Sequence, residues 1–153
     1  MTVNRMDHVG VIVSDLDATI AFFTELGLNL QGRMTVDGKP VARIVGLDES
    51  VVKSDVAMMR TPDGHGCLEL IRYHTPSTVD GAAAAPANAR GLRHLAFEVD
   101  DIEDTLARLR SHGAELVGEL VNYEDVYHLC YLRGPEGIIV ELAQPVSAGG
   151  EAR

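Results

Sequence analysis

Four side chains in this sequence could hold a divalent cation, and they come as two pairs: His8 with Glu69, and His94 with Glu141. Repetition singles them out. An offset of 86 residues carries Asp7-His8-Val9-Gly10-Val11-Ile12-Val13-Ser14-Asp15-Leu16 onto Arg93-His94-Leu95-Ala96-Phe97-Glu98-Val99-Asp100-Asp101-Ile102. The match runs on without a gap, pairing Thr19 with Thr105, Ala21 with Ala107, Gly27 with Gly113, Leu30 with Leu116 and Gly32 with Gly118. A second match links Thr61-Pro62-Asp63-Gly64-His65-Gly66-Cys67-Leu68-Glu69-Leu70 to Gly134-Pro135-Glu136-Gly137-Ile138-Ile139-Val140-Glu141-Leu142. A lone His or Glu on a strand is more often a satisfied polar group than a ligand. Four at repeat-equivalent positions shift that balance toward metal. Two imidazoles and two carboxylates suit a borderline divalent ion: Zn, Ni, Co, Mn or Fe.

The repeat says that one supersecondary unit occurs twice, and local patterning says what the unit is. Val9, Val11 and Val13 alternate with His8, Gly10 and Ile12, the period of a strand. The valine face is expected to pack on a helix, while Gly10 leaves room beside His8. In the second copy Leu95, Phe97 and Val99 take the packing face, and His94, Ala96 and Glu98 the other. Ser14, with Asp17 in the capping-box position, predicts a helix start. Leu16, Ile20, Phe23 and Leu26 then recur at helical spacing before Gly27, a left-handed stop. Asp100, Glu103, Ile102, Leu106, Leu109 and Gly113 repeat that pattern, so both helices are predicted to end one residue before a glycine.

Extended chain is predicted over 28–36, 41–47, 55–59 and 67–73, and again over 114–121, 126–133 and 138–143. Asp37-Gly38 reads as a hairpin signal, and 39–53 as a strand and loop near a pocket mouth. Each copy ends on a Pro-acid-Gly turn and a strand with a central glutamate. The expected organisation is α+β: two tandem βαβββ modules at 1–74 and 92–146, a linker at 75–91 and a disordered tail at 147–153. The linker assignment rests on Thr75-Pro76-Ser77, the alanine run Ala82 to Ala85, and Pro86.

At 153 residues, 46% hydrophobic and 24% charged, the chain can bury a good core. No apolar run reaches the ~18 residues of a membrane span. Met1 to Asp7 lacks the basic-then-apolar pattern of a signal peptide, so the cytoplasm is the expected location. A net charge of −10 argues against nucleic acid, whose phosphates demand a basic face. Cys67 and Cys130 lack a CxxC spacing and are expected to be reduced, partly buried thiols. Met58 and Met59 are expected to fill core.

Two βαβββ units, each with His on its first strand and Glu on its last, resemble the vicinal oxygen chelate superfamily. That superfamily includes glyoxalase I, methylmalonyl-CoA epimerase, type I extradiol dioxygenases and antibiotic-resistance proteins. The most family-like pieces are RHLAFEVDDIEDTLARLRSHGAEL and GPEGIIVEL. The resemblance implies sheets curled into a cup around one divalent metal ion, with His8, Glu69, His94 and Glu141 as ligands. Four ligands in an octahedral shell leave two adjacent positions for a substrate with neighbouring oxygens, and the ion is then a Lewis acid. The activity so implied is that of a glyoxalase-like lyase or isomerase on a small carbonyl compound, moving a proton beside the carbonyl with Glu141 or Glu69 as base. His128, Tyr123 and Arg43 are the candidate substrate contacts. A homodimer is expected, because an open sheet edge invites pairing.

Three other readings stay open. An epimerase acting on an acyl thioester would use the same site; LRHLAFEVDDI looks like such enzymes, although Glu69 stands where they commonly have Gln. An extradiol dioxygenase would use His8, His94 and Glu141 with iron, and His128 as an acid nearby. A metal-free protein would sequester a flat, drug-like ligand.

Overall fold

A computed structural model describes residues 2–47 and 51–146 of the chain. The tail expected at 147–153 lies outside the described residues, as does part of the 39–53 segment. The chain divides into two compact units, Met1–Gly81 and Ala82–Arg153.

The first unit runs β1 (Val9–Ile12), α1 (Leu16–Leu26), β2 (Asn29–Gly38), α2 (Lys39–Val45), β3 (Val52–Arg60) and β4 (Cys67–Thr75). Its sheet has the order β1-β4-β3-β2. The second runs β5 (His94–Glu98), α3 (Ile102–Arg110), β6 (Glu115–Leu116), β7 (Val121–Tyr123), β8 (Tyr127–Arg133) and β9 (Ile139–Pro145). Its sheet has the order β5-β9-β8-β6, with β7 also on β8. Each unit therefore pairs its first strand with its last in parallel, and every other ladder is antiparallel. A parallel pair needs a long crossover, and here the intervening helix and hairpin strands supply it. The mixed α+β architecture expected from the repeat is the one observed.

Helices α1 and α3 pack against β4 and β9 respectively, whose wholly buried Leu70, Val140 and Leu142 alternate with the glutamates. In the first unit Val13, Phe22, Phe23, Ala57, Met59 and Leu70 are wholly buried. Phe22 and Phe23 meet edge to face at 5.2 Å, a favourable ring geometry. Leu109, Leu132, Val140 and Leu142 play the same part in the second. Met59 fills core as expected, whereas Met58 alternates to the other face, opposite Glu69. Cys67 and Cys130 are both buried, unpaired thiols, and burial raises the pKa of Cys130.

The helix starts differ from expectation by one residue. The caps are Asp15 and Asp101, not Ser14 and Asp100: Asp15 Oδ1 accepts from the Ala18 amide at 2.9 Å, and Asp101 Oδ1 from the Asp104 amide at 2.9 Å. Both neighbours can cap, and a threonine four residues on reinforces the second. Thr19 and Thr105 are buried and donate to the carbonyl oxygens of Asp15 and Asp101 at 2.7 and 2.6 Å. The repeated Asp and Thr are thus one capping device used twice. Gly27 ends α1 in the left-handed conformation as expected. By contrast, regular α3 stops at Arg110, and a tight turn through residues 111–113 brings the chain to Gly113.

The segment 41–47, expected as a strand, is helical. Gly38 adopts φ 106°, ψ 175°, Pro40 stands in the first turn, and Gly46 closes the helix in the left-handed region with its amide on the Ala42 carbonyl. These termini outweigh the β-branched Val41, Ile44 and Val45, and Ala42 alone of the helix is buried. Asp37-Gly38 is accordingly no two-residue hairpin, since Gly38 pairs with Val52 across the whole insertion. The single strand expected at 114–121 is two short ones, β6 and β7. β7 returns into β8 through a turn that places Glu124 and Asp125 at positive φ. Asn122 braces that turn, donating to Asp125 Oδ1 at 2.8 Å and accepting from the Asp125 amide at 3.1 Å.

Residues 82–86 lie against the Pro-acid-Gly turn of the second unit. The Arg133 guanidinium donates to the carbonyls of Ala83, Ala85 and Gly137 at 3.0–3.1 Å. Gly137 is at φ +74°, and a Cβ there would collide with the Ala83 carbonyl. Only glycine serves at that point.

The caps give a direct test. Asp15→Ala and Asp101→Ala should each lower the unfolding free energy by about 1 kcal/mol, measured by urea denaturation with an unchanged m-value. Loss of stability in Ser14→Ala or Asp100→Ala but not in the Asp15 and Asp101 variants would contradict the assignment.

Candidate functional site

Ladder register decides which side chains meet. In the first unit Gly10 of β1 pairs with Glu69 of β4. His8 lies two residues before Gly10 and so shares its face. The pairing brings His8 Nε2 to 3.0 Å from Glu69 Oε2. In the second unit Ala96 pairs with Glu141, and His94 Nε2 lies 3.1 Å from Glu141 Oε2. Small residues stand opposite both glutamates, as the sequence suggested. At Gly10 a Cβ would find no atom within 4 Å. The imidazoles are each 37% exposed and the carboxylates 27% and 20%. They are anchored in the sheet yet reachable from solvent.

The surroundings of the pairs differ. His8 Nδ1 meets Asp7 Oδ2 at 2.8 Å, and Arg5 donates to the other Asp7 oxygen at 3.2 Å. The His8 hydrogen bond, with Arg5 adding to it, lowers the Asp7 pKa. The Asp7 bond likewise raises the His8 pKa, against a smaller opposing effect of burial. In the second unit Tyr131 of β8 pairs with Glu141 and lays its ring beside His94, with centroids 4.8 Å apart. Its hydroxyl is 3.4 Å from one ring nitrogen and 3.5 Å from the other. That near-equality, at the long end for a hydrogen bond, marks a packing contact more than a directed one. Burial, then the Glu141 charge, raises the Tyr131 pKa.

The structure brings the four ligand candidates together as pairs within each unit. Among the described residues no group of three or more His, Cys, Asp or Glu side chains is assembled to hold a metal. The substrate-contact candidates fall elsewhere. His128 pairs with Gln144 and shares the face of Cys130, so strand alternation puts it on the side of β8 away from Tyr131 and Glu141. Tyr123 is 56% exposed and opposite Tyr127, on the Tyr131 face but toward the far end of β8. Arg43 is exposed on α2, the segment expected as a strand. Tyr131 and Asp7 went unassigned by sequence. Alternation already separated Tyr131 from His128, and the Arg133–Ile139 pairing after the Pro-Glu-Gly turn decides which of the two faces Glu141. For Asp7 the available signal was its adjacency to His8.

Two βαβββ units with matched His–Glu pairs define the class of fold found in glyoxalases, and the sequence agrees. The profile of the Glyoxalase/Bleomycin resistance protein/Dioxygenase superfamily matches residues 5–142, and the chain belongs to that superfamily. A glyoxalase family protein from Bacillus cereus is 48% identical, with a TM-score of 0.91 over 96% of this chain and 97% of that one. The Escherichia coli protein YaeR is 27% identical over 139 residues, 90% of this chain and 94% of the relative. A Glu-to-Gln mutant of the fosfomycin resistance protein FosX of Listeria monocytogenes, crystallised with Mn(II) and 1S,2S-dihydroxypropylphosphonic acid, is 15% identical with a TM-score of 0.58. It covers 92% of this chain and 90% of its own, and shares the fold. No helix among the described residues is long and apolar enough to cross a membrane.

The equivalence of Gly10 and Ala96 can be tested by substitution. Gly10→Ala meets no atom and no left-handed φ. It should therefore raise the unfolding free energy by about 0.4–1 kcal/mol through loss of unfolded-state freedom. Destabilisation in thermal or urea unfolding would contradict the open face described beside Glu69.

Proposed function

We propose that this chain is a divalent-metal-dependent lyase or isomerase of glyoxalase type, binding a small carbonyl compound through neighbouring oxygens and moving a proton beside the carbonyl. The observation that carries this reading is the duplicated His–Glu pair, set at the same register position of two parallel ladders. Imidazole and carboxylate together fit a borderline divalent ion, and His8 with Glu69, and His94 with Glu141, would be the ligands of such an ion. When bound, the ion supplies Lewis acidity toward the substrate oxygens.

The protein's own residues do the rest. Glu141 takes up the proton from the carbon beside the carbonyl, and its carboxylate is held in place by β9, whose Val140 and Leu142 are wholly buried on the opposite face. Glu69 is its counterpart, but the two environments favour Glu141. Tyr131 lies across the ladder from Glu141, whereas the thioether of Met58 lies across from Glu69. A phenol can hydrogen-bond a substrate oxygen and a thioether hardly can. The half-exposed positions of His8 and His94 admit a small ligand. A homodimer and a cytoplasmic location complete the proposal.

The experiment begins with chain purified free of metal and titrated with Mn(II), Ni(II), Co(II) or Zn(II) in a calorimeter. One ion per site is expected, and His94→Ala should abolish stoichiometric binding without unfolding the protein. The loaded protein is then offered a panel of α-hydroxycarbonyl compounds in D2O, and exchange of the proton beside the carbonyl is followed by NMR. Glu141→Gln should keep metal binding and lose ~10²–10⁴ of the exchange rate. Metal-independent exchange, or an unchanged rate in Glu141→Gln, would overturn the reading.

A further inference from the structure

The two His–Glu pairs are duplicates, yet the residue before each histidine has diverged: Asp7 precedes His8 and Arg93 precedes His94. We propose that Asp7 is a positioning residue for His8. It holds the Nδ1 proton and so leaves Nε2, the nitrogen beside Glu69, as the donor atom for a cation. The inference rests on the reading of His8 as a ligand given above.

The argument is one of proton counting. A neutral imidazole carries one N–H and one lone pair, and an ionised carboxylate only accepts. His8 has a carboxylate oxygen at each nitrogen, Asp7 at 2.8 Å from Nδ1 and Glu69 at 3.0 Å from Nε2. A neutral ring can serve only one of them with a proton. With that proton on Nδ1, the Nε2 lone pair and a Glu69 oxygen face one another 3.0 Å apart, an arrangement that a shared cation satisfies. With the proton on Nε2, the nitrogen beside Glu69 has no lone pair to offer a metal, and Asp7 faces a lone pair instead. Arg5, at 3.2 Å from the second Asp7 oxygen, helps hold Asp7 turned toward the ring. A histidine ligand whose distal N–H rests on a carboxylate is a recurrent way to fix ring orientation and sharpen metal affinity.

The second unit does this by other means. Arg93 turns its Nε to the Leu92 carbonyl at 2.9 Å, and the Tyr131 ring packs against His94. His8 is thus oriented by a hydrogen bond and His94 by ring contact.

The test is read first on the metal-free protein at a pH where His8 is neutral, by long-range ¹H–¹⁵N correlation of the imidazole. Wild type should show the Nδ1–H tautomer. Asp7→Ala should shift the population toward Nε2–H, and Asp7→Asn, whose amide oxygen can still accept, should largely restore Nδ1–H. Zn(II) affinity, measured by competition with a chromophoric chelator, should fall about 10–100-fold in Asp7→Ala and much less in Asp7→Asn. A merely structural role would lower thermal stability and leave the tautomer where it was. An Nε2–H tautomer in wild type, or an unchanged tautomer in Asp7→Ala, overturns the proposal. Should wild type bind no Zn(II), the metal-dependent reading fails, while the imidazole spectrum still decides what Asp7 does.

Discussion

The parallel pairing of first strand with last, made once in each unit, is the constraint on which the rest depends. It sets Gly10 against Glu69 and Ala96 against Glu141. With side chains alternating every residue, a histidine two positions before the small residue must share the glutamate's face. Sliding β4 or β9 by one residue would send its glutamate into the apolar layer and bring a leucine or valine to the imidazole. The apolar layer itself resists that slip, because Leu70, Val140 and Leu142 are wholly buried. Core and site are therefore specified by one register.

Local devices hold that register. The capping Asp and buried Thr begin each helix at the same distance from its strand. The Pro-acid-Gly turns lead into β4 and β9 with their glycines in the left-handed region. In the second unit the turn is further pinned, because Arg133 gathers three carbonyls around it and Gly137 admits the Ala83 carbonyl where no side chain fits. The Arg133 side chain is thus spent on backbone. Charge-assisted bonds to carbonyls are among the stronger hydrogen bonds available to it.

Much of this was legible because the chain states its plan twice. The offset between His8 and His94, and between Glu69 and Glu141, gave the unit and its ligand candidates without any appeal to propensity. Where the copies differ, the reading weakened. Helix α2 has no counterpart among the described residues of the second unit, and its β-branched residues suggested a strand until Gly38, Pro40 and Gly46 were seen to bound a helix. The β7–β8 turn carries no glycine to announce it, since Glu124 and Asp125 take positive φ with Asn122 as brace. Tyr131 and His128 were separated by alternation, but alternation alone cannot say which face is which. That needed the ladder, and the ladder put Tyr131 at Glu141 and His128 behind it. Membership of the superfamily fixes the fold, while the chemistry belongs to these particular side chains.

The central claim is that the His–Glu pairs bind a divalent ion. X-ray absorption at the metal edge, on protein loaded with a single equivalent of Zn(II) or Mn(II), tests it most directly. The account predicts a bound ion whose shell contains imidazole nitrogen together with carboxylate oxygen. A shell without imidazole nitrogen, or no stoichiometric binding at all, would contradict it.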